Sequence, residues 1–267
     1  MTRIRTVLFD FDGTLAFMRP SHWALYAEAA REVGLDVSEE ALAAETVDRA
    51  WEPWTTPLGV AHLDASASQE AFRALRADLA SDRIRAALAS VEGSEASDLD
   101  TAALHMLMRD AAMRESQLYE AGQRAAILEE EAARYVLFDD ALPALARLAD
   151  AGVESIVLSN HIWTLPEIVE ASGMGPRFID VLTSARLGYR KPHPEIFAAA
   201  MRLTSARPDE VVMVGDSLGA DVRGAEAAGM HAVFIDRDGT RELPGDVRVI
   251  RSLLDVPLEW PIDGARS

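Results

Sequence analysis

The chain has 267 residues, 49% of them apolar, so a large core is available and a disordered chain is excluded. Its 26 basic residues against 44 acidic ones give a formal charge of −18, which repels nucleic acid and anionic membranes and leaves any phosphate-bearing ligand dependent on a local cation or metal. There is no cysteine, so disulfides, thiolate metal sites and cysteine nucleophiles are out.

In chain order, the N-terminal stretch MTRIRTVLFDFDGTL has a four-residue apolar run before Asp10, too short for a signal-peptide core. No stretch approaches the roughly 20 apolar residues of a membrane span, and the cytoplasm is the expected compartment. TVLF (6–9) is continuous and β-branched, as expected of a parallel strand buried on both faces. It stops at Asp10-Phe11-Asp12-Gly13-Thr14.

Residues 17–134 are rich in alanine, leucine and arginine, with no convincing strand. Helical spacing links Trp23, Tyr26, Ala30 and Val33, then Phe72, Leu75 and Leu79, then Leu104, Leu107 and Ala111. Ser38 and Ser68 are placed as helix N-caps, and WEPWTTPLG (51–59) and VEGSEASD (91–98) as loops. Trp51 and Trp54 either line a cleft or anchor the first of these loops.

Further on, the helical pattern DDALPALARLADAG leads into SIVL (155–158), which ends at Ser159-Asn160. GYRKPHPEIF (188–197) holds Lys191, the only lysine in the chain. A helix over HPEIFAAAMRL precedes VVMV (211–214), which ends at Gly215-Asp216-Ser217. The helix within DVRGAEAAGM then leads to HAVFI (231–235), which ends at Asp236. Strands alternating with helices predict an α/β core, residues 1–16 and 135–267, built on a parallel sheet flanked by helices. Residues 17–134 form an all-helical module inserted after the first strand.

In open parallel sheets, ligands bind at the carboxyl ends of the strands. Asp10 and Asp12, two apart on extended backbone, point the same way and suit a nucleophile paired with a general acid/base. They also suit a hard, oxygen-seeking cation, whose sphere Asp216 would complete from the third run. DGT alone reads better as a turn, and it is the aspartate closing a second apolar strand that shifts the reading to function. Ser159-Asn160 can present a hydroxyl and an N–H to a phosphate or be an ordinary turn dipeptide. Asp221 is either an N-cap or a carboxylate supporting the metal or the lysine.

Taken together, DFDGT, the SN pair, a lysine before a helix and GDSLGAD resemble the haloacid dehalogenase-like (HAD) hydrolase superfamily, and RKPHPEIF and GDSLGADVRGA its branch of small-metabolite phosphatases. The resemblance implies a Rossmann-like core and an inserted helical cap. It makes Asp10 the nucleophile, through an aspartyl-phosphate, and Asp12 the acid and then the base. Ser159, Asn160 and Lys191 would hold the phosphoryl group. Mg²⁺ would sit on the carboxylates of Asp10 and Asp216 and the backbone carbonyl of Asp12, supported by Thr14 and Asp221. Arg19, His22 and His161 are candidate substrate contacts. The expected partner is a small phosphorylated metabolite, with no nucleic acid and no membrane; oligomeric state is open.

Dehalogenases of this fold lack an acid two residues after the nucleophile, and Asp12 argues against that chemistry. Phosphonate hydrolases and sugar-phosphate mutases of the superfamily place a lysine on the cap, and residues 17–134 contain none. Phosphotransfer to an alcohol and a non-catalytic role remain as alternatives.

Overall fold

The computed structural model describes residues 1–44, 57–92 and 101–261, with side chains at 57–60, 91–92 and 101–109 left aside. Trp51, Trp54 and most of the two loops expected around them and around 91–98 lie outside the described residues, as do the side chains of Leu104 and Leu107. The chain divides into an α/β unit, Met1–Met18 with Tyr135–Ser267, and a helical unit, Arg19–Arg134.

Six strands make the main sheet: β1 (Thr6–Phe9), β2 (Glu154–Ser159), β3 (Val181–Thr183), β4 (Val211–Gly215), β5 (His231–Ile235) and β6 (Val249–Ile250). Their order is β3-β2-β1-β4-β5-β6, and every pairing is parallel. This is the doubly wound Rossmann-like order, in which the crevice at the strand ends opens between β1 and β4. All of β1 and β4 is buried, which is why both are continuous apolar runs instead of alternating ones. Phe197, Ile196, Leu8, Ile156 and Met213 share one core face, each such side chain contributing roughly 1.5–3 kcal/mol by burial. Strands β3 and β6 went unrecognised in the sequence: with three and two residues they carry no period to detect.

A second pairing contradicts the reading of residue 17 onward as purely helical. Ala16–Met18 is a strand and runs antiparallel to Tyr135–Leu137, so the α/β unit keeps the chain to Met18 before releasing it.

The helical unit consists of helices His22–Glu32, Glu39–Ala44, Pro57–Ala65, Gln69–Glu92 and Thr101–Glu129 among the described residues. Ser38 and Ser68 accept from Ala41 and Ala71 N–H at 3.1 Å each, as N-caps do. Tyr26 and Ala30 are buried as their spacing predicts, while Trp23 is half-buried under the Arg83 guanidinium at 3.9 Å. In Gln69–Glu92 the buried face runs through Phe72, Ala77, Ala80, Ile84 and Ala87, leaving Leu75 and Leu79 half-buried. The two long helices approach closely enough that a Cβ at Gly122 would collide with Ser81 and the Ala77 carbonyl. Among the described residues no helix is long and apolar enough to cross a membrane.

Candidate active site

Two strand ends, a turn and a loop of the α/β unit deliver polar side chains to one place. Asp10 leaves β1, and its N–H donates to Val214 O at 2.9 Å, extending the β1–β4 ladder by one residue. Asp216 follows β4, and Asp221 lies in the π-helical turn Leu218–Arg223 behind it. One oxygen from each of Asp10, Asp216 and Asp221 lies within 4.8 Å of the other two. Gly13 turns the chain at φ 72°, and a Cβ there would collide with the Asp216 carboxylate. Glycine is therefore required at this position on two counts.

Lys191 reaches this cluster from the loop ahead of helix Pro194–Met201. Its Nζ donates to Asp10 Oδ1 at 2.8 Å and lies 2.6 Å from Asp221 Oδ1, and the residue is 4% exposed. The lysine is held by its backbone as well: its N–H donates to Asn160 Oδ1 at 2.7 Å, and the Asn160 amide donates to its carbonyl at 2.9 Å. The side chain of Asn160 thus positions the lysine, a role its place in the sequence did not reveal. Ser159, almost fully buried, closes β2 in register with Thr183 of β3.

Three carboxylates facing one ammonium leave an excess of negative charge in a poorly solvated space. Burial would lower the pKa of Lys191, but Asp10 and Asp221 more than offset it, so the ammonium is held above its usual range. Burial, then repulsion from Asp10 and Asp221, pushes Asp216 up to about 7. Burial likewise raises Asp221, against the pull of Lys191. A carboxylate that resists ionising beside two others is the electrostatic signature of a place where a divalent cation would be stabilised.

Asp12 stands on the other side of the turn, with its Oδ2 3.2 Å from Nε2 of His161. Thr14 is fully buried, and its carbonyl accepts from Arg237. Asp221 is not the N-cap of its helix. Ser217 takes that place by accepting from Ala220 N–H at 3.2 Å, while Asp221 Oδ2 accepts the Ser217 N–H at 3.0 Å. Arg19 and His22 are residues of the helical unit: Arg19 N–H bonds Arg134 O at 2.7 Å, and His22 Nε2 lies 4.0 Å from Glu129 Oε1.

A neighbouring polar network went unpredicted. Asp236, at the end of β5, is buried and accepts the Arg241 N–H at 3.2 Å, and with Gly13, Asp216, Arg237 and Arg241 it lines a cavity of about 320 Å³. Arg237 lies 3.6 Å above the Phe138 ring and donates to both oxygens of Asp140 at 3.1 Å. Asp140 also accepts from Ser252 Oγ at 2.8 Å and Leu253 N–H at 2.9 Å. The nearby Asp238-Gly239-Thr240, which repeats the letters of the first motif, is an exposed turn.

Residues 4–229 match the family described as haloacid dehalogenase-like hydrolase. A phosphoserine phosphatase of Thermus thermophilus is 30% identical over 249 residues, 88% of this chain and 89% of its own. A glyceraldehyde 3-phosphate phosphatase of Methanopyrus kandleri is 37% identical over 101 residues, 38% of this chain and 43% of its own length. Among solved structures, a predicted phosphoglycolate phosphatase from Haemophilus somnus superposes with a TM-score of 0.61 at 18% identity, covering 96% of this chain and 97% of that one. A 2-haloacid dehalogenase from Pseudomonas syringae gives 0.57 at 21% identity, covering 94% and 95%. At such identities the two structures speak for the fold alone, and that fold serves more than one reaction. The family match over residues 4–229, a span that contains the strand-end cluster, settles the family: this chain belongs to the haloacid dehalogenase-like hydrolases.

Proposed function

We propose that the protein is a Mg²⁺-dependent phosphatase that hydrolyses a small phosphorylated metabolite through an aspartyl-phosphate on Asp10. The observation that carries this reading is Lys191 Nζ joined to both Asp10 and Asp221 beside Asp216, a cationic point in a chain whose net charge is −18. The phosphatases among the relatives support it, and the full set of motif residues, Asp12 included, favours phosphate esters over the dehalogenase chemistry known on this fold.

The oxygen-only donor set fits a hard cation, and the carboxylates of Asp10 and Asp216 with the Asp12 carbonyl are the proposed ligands. When bound, Mg²⁺ offsets the charge that accumulates as a carboxylate meets a phosphate dianion. In the first step an Asp10 oxygen bonds to phosphorus as the bond to the leaving oxygen breaks, and Asp12 gives that oxygen its proton. In the second, Asp12 takes a proton from water as the water oxygen bonds to phosphorus and the Asp10–phosphorus link breaks, releasing phosphate. Lys191 and Ser159, with the Asn160 backbone N–H, are proposed to hold the phosphoryl oxygens, while Thr14 and Asp221 keep the loop and the lysine in place. Arg19 and His22 are proposed substrate contacts from the helical unit, which is assigned the role of a specificity cap. The cytoplasm is the proposed compartment.

The test is phosphate release from a panel of sugar phosphates, phosphoserine, phosphoglycolate and nucleoside monophosphates, with Mg²⁺ and with EDTA. Asp10→Asn is expected to reduce release on the order of a thousandfold or more. Mg²⁺ should also raise the Tm of the wild type and not that of Asp216→Asn. A silent wild type across the panel, or Asp10→Asn at the wild-type rate, overturns the assignment.

A further inference from the structure

His161 follows Asn160, and its imidazole is held in an aromatic slot. The ring meets Phe11 edge-on, with centroids 5.3 Å apart, and packs at 5.4 Å from Tyr135. The loop carrying it is fixed, because the His161 carbonyl accepts from Thr183 Oγ1 at 2.7 Å. The side chain is 3% exposed, and among the described residues neither ring nitrogen has an aligned hydrogen bond. Burying an imidazole edge in this way opposes folding, and a phenylalanine would fill a slot between two aromatic rings without that cost. What the polar edge does face is Asp12: Nε2 lies 3.2 Å from Asp12 Oδ2.

We propose that His161 is a positioning residue for the general acid/base Asp12, its Nε2 edge 3.2 Å from Oδ2 keeping the carboxylate turned toward the leaving group and then toward water. This deepens the phosphatase reading and rests on it. Both the Nε2–H tautomer and the imidazolium carry a proton on the nitrogen nearest Oδ2, so the role does not depend on the charge of the ring. Asp12 lies in a turn with its side chain 39% exposed, and the imidazole edge beside Oδ2 narrows the rotamers its carboxylate adopts. General acid/base catalysis requires the group within hydrogen-bonding reach of the proton it moves. The bond broken is still phosphorus to leaving oxygen, and the proton still comes from Asp12; His161 takes no part in the proton balance.

The leaving group supplies the discriminating measurement. Phenoxide needs protonation as it departs, and 4-nitrophenoxide needs it far less. Loss of an acid-positioning residue should therefore slow phenyl phosphate selectively. For His161→Phe, which keeps the ring packing, we expect kcat/KM on phenyl phosphate to fall by about tenfold, less than the roughly hundredfold or more that a general acid itself contributes. On 4-nitrophenyl phosphate the fall should stay below about threefold, with the Tm unchanged or raised. His161→Gln, which restores an N–H near the same place, should recover most of the phenyl phosphate activity. In an Asp12→Asn background, adding His161→Phe should change kcat/KM less than about twofold. Equal losses on both esters, a lowered Tm with no rescue by glutamine, or additive effects with Asp12→Asn would each overturn the positioning role while leaving the phosphatase reading intact. A wild type that releases phosphate from neither ester with Mg²⁺ present would overturn both.

Discussion

Lys191 stands alone in a chain that otherwise uses arginine for every basic position, and its surroundings explain why arginine would not serve. A compact ammonium touches Asp10 and Asp221 at 2.8 and 2.6 Å in a fully buried space. A planar guanidinium has a fixed fork and more volume, and cannot occupy that point without moving the strand ends. Lys191→Arg is therefore expected to reduce phosphate release at least about a hundredfold in kcat, an estimate set by the loss of an electrostatic contact to the reacting group. Near-normal turnover in that variant would show that the site tolerates the larger cation. At this scale the sequence was informative for four motif residues, Asp10, Lys191, Asp216 and Asp221, which do converge. It was silent where the partner is remote and unpatterned. His161 reaches back to Asp12 across most of the chain, and Asn160 spends its side chain on the lysine backbone. Asp221 looked like a cap because it follows a strand and precedes helical residues, but Ser217 lies one turn earlier and takes the cap instead.

Among the elements, strands long enough to show a continuous apolar run were legible and the two- and three-residue ones were not. In the helical unit the alanine-rich composition blurred the buried stripe, since alanines at 77, 80 and 87 pack the two long helices together while the more obvious leucines sit half out. The arginines of this unit are matched by acids: Arg73 with Glu130, Arg124 with Glu32, and Arg76 with Glu129, whose carboxylate is 1% exposed and also accepts from Tyr26 at 2.8 Å. Exposed pairs of this kind are worth little individually, whereas the buried one cannot lose either partner cheaply. In the α/β unit, Asp140 ties the start of helix Ala141–Asp150 to Arg237 and to the turn at Leu253. Burial opposes its ionisation, but Arg237 and the hydrogen bonds from Leu253 and Ser252 prevail, so its carboxyl is held below the usual range. A depressed folded-state pKa adds stability that is present above the ordinary carboxylate pKa of about 4 and fades as pH falls below it. The Tm difference between wild type and Asp140→Asn should accordingly be largest near neutral pH and shrink below about pH 4. A difference that stays constant or grows on acidification would show that Asp140 acts through packing alone.

For the whole molecule, the division into units follows from one short antiparallel pair. Met18 lies opposite Tyr135, and the Arg19–Arg134 hydrogen bond continues the same direction beyond them. A chain lacking Arg19–Arg134, with Met18 joined to Tyr135 through Asn-Gly, is expected to close as an ordinary hairpin, to fold, and to keep a Tm that rises with Mg²⁺. A protein that is unfolded, or folded but indifferent to Mg²⁺, would show that the helical unit is needed to build the strand-end cluster. The same pair has an entropic consequence. Because the two ends of the insert are clamped side by side by the sheet-bearing unit, the cost of closing that excursion varies only with the logarithm of its length, about 0.6 kcal/mol for each doubling. Halving or doubling the insert would leave the α/β unit nearly as stable as before. What lies between Met18 and Tyr135 is thus free to change in size and sequence, while the strand ends stay where they are.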